Sequence, residues 1–224
     1  MTKYAIIVAG GKGSRFGSEI PKQFLPLNSK PVLMHTINKF AEHSNVIIVV
    51  LPAAQRNEWE NLCKMHKFNI PHTIVTGGNT RFESVKNALD TITIEENDLI
   101  AVHDGVRPLV SDEIIENAYT IALAHGSAIP AIETTDTIRQ LENAGNTSKV
   151  LPRASLRAVQ TPQTFKASIL KSAYTAEYSN VFTDDASVVE TAGHSVTLIK
   201  GSPRNIKITH SIDLIIAEEL LKNE

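Results

Sequence analysis

Three short apolar runs, at residues 4–8, 46–51 and 99–103, lead into Gly10, Pro52 and Asp104. They are largely β-branched and apolar at almost every position, not at every second one. Such runs are too short for a buried helix and read as strands covered on both faces. Between them the period changes. From Pro31, residues Val32, Leu33, Thr36, Ile37, Phe40 and Ala41 recur at helical spacing. Residues 55–67 repeat the pattern with Trp59, Leu62 and Cys63, and residues 81–91 with Val85, Ala88 and Leu89. Ser111 is placed to cap a helix reaching residue 125. Further strands are expected at 73–76, 127–132 and 195–200, and a short extended piece at 206–208. Helices are expected at 166–178, at 184–192 capped by Thr183 and closed by Gly193, and after Ser211. The inner face of the last would carry Leu214, Ile215, Ala217 and Leu221. Strands alternating with helices predict an α/β fold, a mostly parallel central sheet with helices on both faces. No repeat or composition shift divides residues 1–224, so a single domain is expected.

Residues 133–161 break the alternation. They have few consecutive apolar positions and no helical period. A stretch of that length inside a compact domain is usually functional. Its β-prone pieces, 136–140 and 156–160, are expected to pair as an extended arm reaching a second subunit; a surface excursion is the plainer alternative.

Charge and cysteine content narrow the class. A formal net charge of -2 over 224 residues argues against a general nucleic-acid binder. No run approaches the roughly 18 apolar residues of a membrane span. The first strand begins almost at Met1, so no signal peptide is expected. Cys63 is the only cysteine, which forbids an intramolecular disulfide. A cytoplasmic protein without nucleic-acid or membrane partners is expected.

The first strand empties into Ala9-Gly10-Gly11-Lys12-Gly13-Ser14-Arg15-Phe16-Gly17, followed by Pro21-Lys22-Gln23. Glycines let a backbone approach a ligand, and successive N–H groups make an anion concavity. Lys12, Arg15 and Lys22 add charge there, so a polyphosphate is the expected guest. The loop is neither of two familiar phosphate motifs. Gly11 and Gly13 fit the dinucleotide fingerprint, but its third position falls on Phe16. Gly11-Lys12 is followed by Gly13 where a P-loop needs Lys-Ser/Thr.

Ligands of open parallel sheets bind outside the carboxyl ends of the strands. Beyond the loop, those positions hold Gly77, Gly78, Asn79, Arg81 and Ser84, then Asp104, Gly105 and Arg107, then Thr135, Asp136 and Thr137, and finally Lys207. Cations, carboxylates and small polar groups together suit a nucleotide with Mg²⁺, which takes oxygen ligands and leans on substrate phosphates. Alternation with Ile206 and Ile208 turns Lys207 to the opposite face, which is either solvent or site. No Gly-x-Ser-x-Gly elbow and no His-x-x-x-His spacing is present.

These blocks, in this order and over nearly the whole chain, resemble the 2-C-methyl-D-erythritol 4-phosphate cytidylyltransferase family. They are the glycine loop with Pro21-Lys22-Gln23, Gly77-Gly78-Asn79-Thr80-Arg81 with Ser84-Val85, and Val102-His103-Asp104-Gly105-Val106-Arg107-Pro108. Asp136-Thr137, Thr161-Pro162-Gln163, Thr183-Asp184-Asp185-Ala186-Ser187 and Asn205-Ile206-Lys207-Ile208-Thr209 complete them. The resemblance implies a Rossmann-like nucleotidyltransferase fold with a β-arm for dimerisation. It also implies transfer of CMP from CTP to the polyol phosphate with release of pyrophosphate, aided by Mg²⁺, in non-mevalonate isoprenoid biosynthesis. On it, Arg15, Lys22, Arg153 and Lys207 are the catalytic cations. CTP would lie against Ala9, Gly10, Gly11, Gly13, Gly78, Asn79, Ser84, Asp104 and Gly105. The sugar phosphate would meet Arg107, Asp136, Thr137, Arg153, Thr161, Thr183 and Lys207, with Thr137 and Arg153 reaching the neighbouring subunit's site. Asp104 would be the metal ligand.

The chain departs from the family pattern at Asn79, where aspartate is common, and at Gly105-Val106, where two alanines are. Ribitol-5-phosphate cytidylyltransferases share the valine before Arg-Pro, whereas the Thr183 block is closer to the methylerythritol enzymes. A nucleotide sensor without turnover and a nicotinamide oxidoreductase are the rivals from other classes.

Overall fold

The computed structural model describes residues 1–10, 20–142, 145 and 147–222. Its main sheet is built on β1 (Lys3–Val8), which lies between β4 (Val46–Leu51) and β6 (Leu99–Asp104), parallel to both. β5 (Thr73–Thr76) adds parallel to β4 at one edge. On the other side β11 (Gln163–Lys166) runs antiparallel between β6 and β7 (Ser127–Glu133). β10 (Arg157–Val159) is antiparallel to β7, and β12 (Leu198–Lys200) is parallel to it. Because Ala131 pairs with both Val159 and Lys200, those two strands occupy opposite edges of β7. β2 (Pro26–Leu27) and β3 (Lys30–Pro31) form a small ladder ahead of α1 (Val32–Phe40).

Period-2 alternation divides the strand residues between two cores. Ala5, Ile7, Val49, Leu51, Leu99 and Ala101 face one, with α1, α2 (Arg56–Met65) and α4 (Asp112–His125). Ile6, Ile48, Val50, Ile100 and Val102 face the other, with α3 (Arg81–Asp90), α5 (Ala167–Ala173) and α6 (Asp185–Thr191). Trp59 is fully buried in the first core. Its indole N–H needs a partner there, and it donates to His72 Nε2 at 2.9 Å. A third cluster of Leu27, Val32, Val106, Leu109, Ile208 and Ala217 seats α7 (Ser211–Leu221).

Ser111 caps α4 as expected, accepting from Ile114 N. Gly126 closes that helix at φ +92°, its N–H bonded to Ala122 O at 2.8 Å. A Cβ there would lie 2.9 Å from Ile169 Cδ1. Left-handed backbone and crowding both oppose a side chain, so Gly126→Ala is expected to cost about 1–2 kcal/mol. That corresponds to a Tm about 3–6 °C lower in calorimetry for a chain of this size; an unchanged Tm would contradict it.

Several expectations are corrected. The helix expected at 166–178 begins only at Ala167, because the preceding residues complete β11, and it ends at Ala173. α6 is capped by Asp184, not Thr183: the Asp184 side chain accepts from Ser187 N. α7 is capped from His210, one residue before Ser211, and Asp213 accepts the N–H groups of Thr209 and His210. Ile215 points outward with 62% of its surface exposed. Residues 195–197 and 206–208 form no ladder. The pieces 136–140 and 156–160 do not pair with each other. β8 (Arg139–Glu142) instead pairs with β9 (Thr147–Val150) as a separate hairpin, and β10 returns to the main sheet. The segment expected as an arm thus contains a two-stranded hairpin whose ladder is separate from the main sheet. Among the described residues no helix is long and apolar enough to cross a membrane.

Candidate active site

The carboxyl ends of β1, β5 and β6 open on one rim, and most of the expected residues lie along it. Asp104 closes β6 and is 7% exposed. Its Oδ2 meets Lys207 Nζ at 3.0 Å and Arg107 Nε at 3.1 Å. Burial alone would raise the Asp104 carboxyl, but the charges of Lys207, Arg81 and Arg107 outweigh it and hold the group well below the usual carboxylate range. Arg107 also donates from Nη1 to Asn205 O at 2.8 Å. The Lys207 side chain is 42% exposed while Ile208 is buried, so alternation turns the lysine toward the rim. Ile208 N donates to Val106 O, which draws this segment alongside the Asp104–Arg107 turn.

Lys22 comes to the same place from a different part of the chain. It opens a three-residue 3₁₀ turn anchored by buried Gln23 and Phe24. Its Nζ donates to Ile208 O at 3.2 Å. The Gln23 amide donates to Ala9 O at 2.8 Å, tying the Pro21-Lys22-Gln23 block to the end of β1. Ala9 N in turn donates to Val50 O, and Gly105 N to Val8 O.

Beneath the rim a chain of hydrogen bonds fixes the Asp104 turn. Asp104 N donates to Thr161 Oγ1 at 3.1 Å, and Thr161 Oγ1 lies 3.1 Å from His103 Nδ1. His103 Nε2 is 3.1 Å from Arg107 O. A carbonyl can only accept, so Nε2 carries the proton and Nδ1 accepts from the threonine hydroxyl. His103 is fully buried, and burial lowers its pKa to about 4. It is therefore a neutral brace, unsuited to being a general base. Asn205, also fully buried, donates from Nδ2 to Thr161 O at 2.8 Å. Gln160 Nε2 donates to Ser202 O at 2.8 Å.

The β5–α3 turn forms the next wall. Thr80 and Glu83 make a reciprocal capping box on α3, and Glu83 Oε2 also accepts from Asn79 N. A Cβ on Gly78 would come within 2.3 Å of Glu83 Cβ, so only glycine fits that turn. The Ser84 hydroxyl accepts from Gly78 N at 3.1 Å and donates to Thr80 O at 2.8 Å. It shapes the turn from a buried position. Gly10 lies beside Ser84, where an added Cβ would be 3.7 Å from Oγ. Asn79 and Thr183 are exposed.

Other expected residues are not gathered here. Gly11, Gly13 and Arg15, with Lys12, lie outside the described residues. Asp136, Thr137 and Arg153 are exposed on the arm, where Arg153 Nη1 donates to Thr135 O at 2.7 Å. None of their described contacts reaches Asp104 or Lys207. Sequence reasoning missed the roles of Gln160, Gln163 and Asn205. Their available signal was position: each is a polar residue directly beside an apolar or motif block.

Comparison with known proteins gives one consistent result. The family model described as 2-C-methyl-D-erythritol 4-phosphate cytidylyltransferase matches residues 3–223. A protein of that name from Phocaeicola vulgatus is 49% identical over 99% of this chain and 100% of its own length. One from Bacteroides thetaiotaomicron is 47% identical with the same coverage. The crystal structure of the Francisella tularensis protein of that name, 33% identical, superposes with a TM-score of 0.82 over 98% of this chain and 99% of its own.

Proposed function

From the premise that the chain belongs to the 2-C-methyl-D-erythritol 4-phosphate cytidylyltransferase family, we propose that it catalyses that nucleotidyl transfer. The phosphate of 2-C-methyl-D-erythritol 4-phosphate attacks the α-phosphorus of CTP. The new P–O bond gives cytidine diphosphate methylerythritol, and the broken α–β bond releases pyrophosphate. The observation that carries the reading is the meeting of Arg107 and Lys207 on Asp104 Oδ2 at the carboxyl end of β6, with Lys22 Nζ bonded to the carbonyl of Ile208 next to Lys207.

A phosphate monoester is already an anionic nucleophile at neutral pH, so the site needs no base. It must bring two anions into line and neutralise the charge that develops. In this reading Lys22, with Arg15, steadies the triphosphate. Lys207 and Arg107 hold the incoming phosphate, their orientation set by Asp104. The Gly10 loop and the turn at Gly78, Asn79 and Ser84 receive the nucleotide, with Asp136, Thr137, Thr161 and Thr183 toward the polyol. Asp104 Oδ1 makes no hydrogen bond among the described residues, and no group of three metal-ligating side chains gathers among them. One carboxylate oxygen beside a triphosphate suits Mg²⁺, which takes few protein ligands and several phosphate oxygens. Asp104 would hold it, and the ion would neutralise charge on the phosphates.

We also propose a homodimer built through the arm, acting in the cytoplasm. The hairpin exposes Leu141 (71%) and Val150. At its base an open cavity of about 530 Å³ is lined by Ala131, Ile132, Leu198 and Ile199. Such apolar surface suits a second copy, whose Arg153 and Thr137 would then reach this site. A monomer in gel filtration at low concentration would count against it.

Pyrophosphate release from CTP, with 2-C-methyl-D-erythritol 4-phosphate and ribitol 5-phosphate compared, tests the reaction. Faster turnover with the first is expected. Preference for ribitol 5-phosphate would reassign the substrate, and CTP binding without release would make the chain a sensor.

A further inference from the structure

The first residues of two short helices are joined by a buried ion pair that the reaction chemistry does not use. Arg81 opens α3 and Asp185 opens α6, 104 positions apart. The guanidinium forks onto the carboxylate, Nη1 to Oδ1 at 2.8 Å and Nη2 to Oδ2 at 2.5 Å. The Asp185 side chain is fully buried, and Tyr174 Oη donates to the same Oδ1 at 2.6 Å. Neighbouring contacts reinforce the join. Phe82 stacks on Tyr174 at 4.7 Å between centroids and on Phe182 at 5.3 Å. Gln163 donates to Asp184 Oδ2 and accepts from Ala186 N. Burial works against the charge on Arg81, and Asp185 more than offsets it, holding the guanidinium charged. Asp104 lies near enough to add to that effect.

Each half of the pair is rigidly tied to a turn at the rim. Arg81 follows Asn79 by two residues, inside the Thr80–Glu83 capping box. Asp185 follows Thr183 by two, inside the Asp184–Ser187 box. Moving either partner therefore moves a whole turn. We propose that Arg81 and Asp185 are positioning residues that lock the nucleotide-side turn and the polyol-phosphate-side turn into one wall of fixed width. The inference rests on the proposed reaction for the naming of the two sides. A bidentate buried pair suits this task, because its two parallel bonds fix orientation as well as distance.

The test uses Asp185→Asn, which keeps shape but loses charge, and Arg81→Lys, which keeps charge but loses the fork. Tyr174→Phe, which removes only one hydrogen bond, is the milder variant should either fail to fold. A lock across both walls predicts that KM for CTP and KM for the polyol phosphate rise together, by about fivefold or more in the first two and about twofold in the third. A purely structural role would lower apparent kcat through loss of folded enzyme and leave both KM values in place. That outcome, or a rise in one KM alone, overturns the proposal. Wild-type pyrophosphate release is measured first. Its absence would count against the reaction and not the lock, which is then read as a fivefold weaker CTP affinity in calorimetric titration of the same variants; unchanged affinity overturns it.

Discussion

Lys22→Ala is expected to lower kcat for pyrophosphate release by about 10²–10³-fold, the loss seen when one preorganised charge stabiliser is removed. Its ammonium stands at the rim with Nζ on Ile208 O, one residue from Lys207. In an in-line transfer between two anions, a cation there acts on charge that builds as pyrophosphate departs. The fold should survive. The turn that carries Lys22 is held by buried Gln23 and Phe24, and the hydrogen bond lost to Ile208 O contributes only about 1 kcal/mol. Calorimetry should therefore find Tm within a few degrees of wild type. Near-wild-type turnover would remove Lys22 from the mechanism. The loop motif assigns Arg15 the same sensitivity.

Asp104→Asn is expected to damage both stability and turnover. The substitution keeps shape but deletes the charge shared by Lys207 and Arg107 on Oδ2. Removing one member of a buried charge cluster leaves the others uncompensated, at a cost of about 3 kcal/mol. Tm should fall by about 6–12 °C for a chain of this length. The kcat/KM should fall by about 10²-fold or more, because Arg107 and Lys207 lose the group that orients them and, under the proposed function, a metal ion would lose its carboxylate. A variant with wild-type Tm and turnover would show that Asp104 neither anchors the cations nor meets the metal. The direction of the stability change with pH follows from the depressed carboxyl: the contribution is present above the ordinary aspartate pKa and disappears as pH falls through the lowered value.

Asp104, Arg107 and Lys207 were legible as members of one site because all three follow or flank strand-like runs. Their shared atom was not. Arg107 and Lys207 are 100 positions apart in the chain, and nothing local states that both end on Oδ2. Lys207 is the plainest instance. Alternation put it opposite Ile206 and Ile208 but could not say whether that side was solvent or site; the bond from Ile208 N to Val106 O decides it. Cap positions were legible at Ser111 and off by one residue at Asp184 and His210, since several side chains in each turn could cap and backbone geometry selects among them.

The sequence by itself determined the alternating strands and helices, the mostly parallel character of the sheet, the rim along which polar residues collect, and the family. These depend on period, turn chemistry and contiguous motifs, all of which are local. Tertiary structure alone decided how the 133–161 segment pairs, which polar groups are spent as braces, and what Arg81 touches. Strand register, burial and long-range ion pairs depend on which segments meet in space. His103, Thr161 and Asn205 carry no mark of their hydrogen-bond chain until β6, the turn before β11 and the 202–207 segment are brought together.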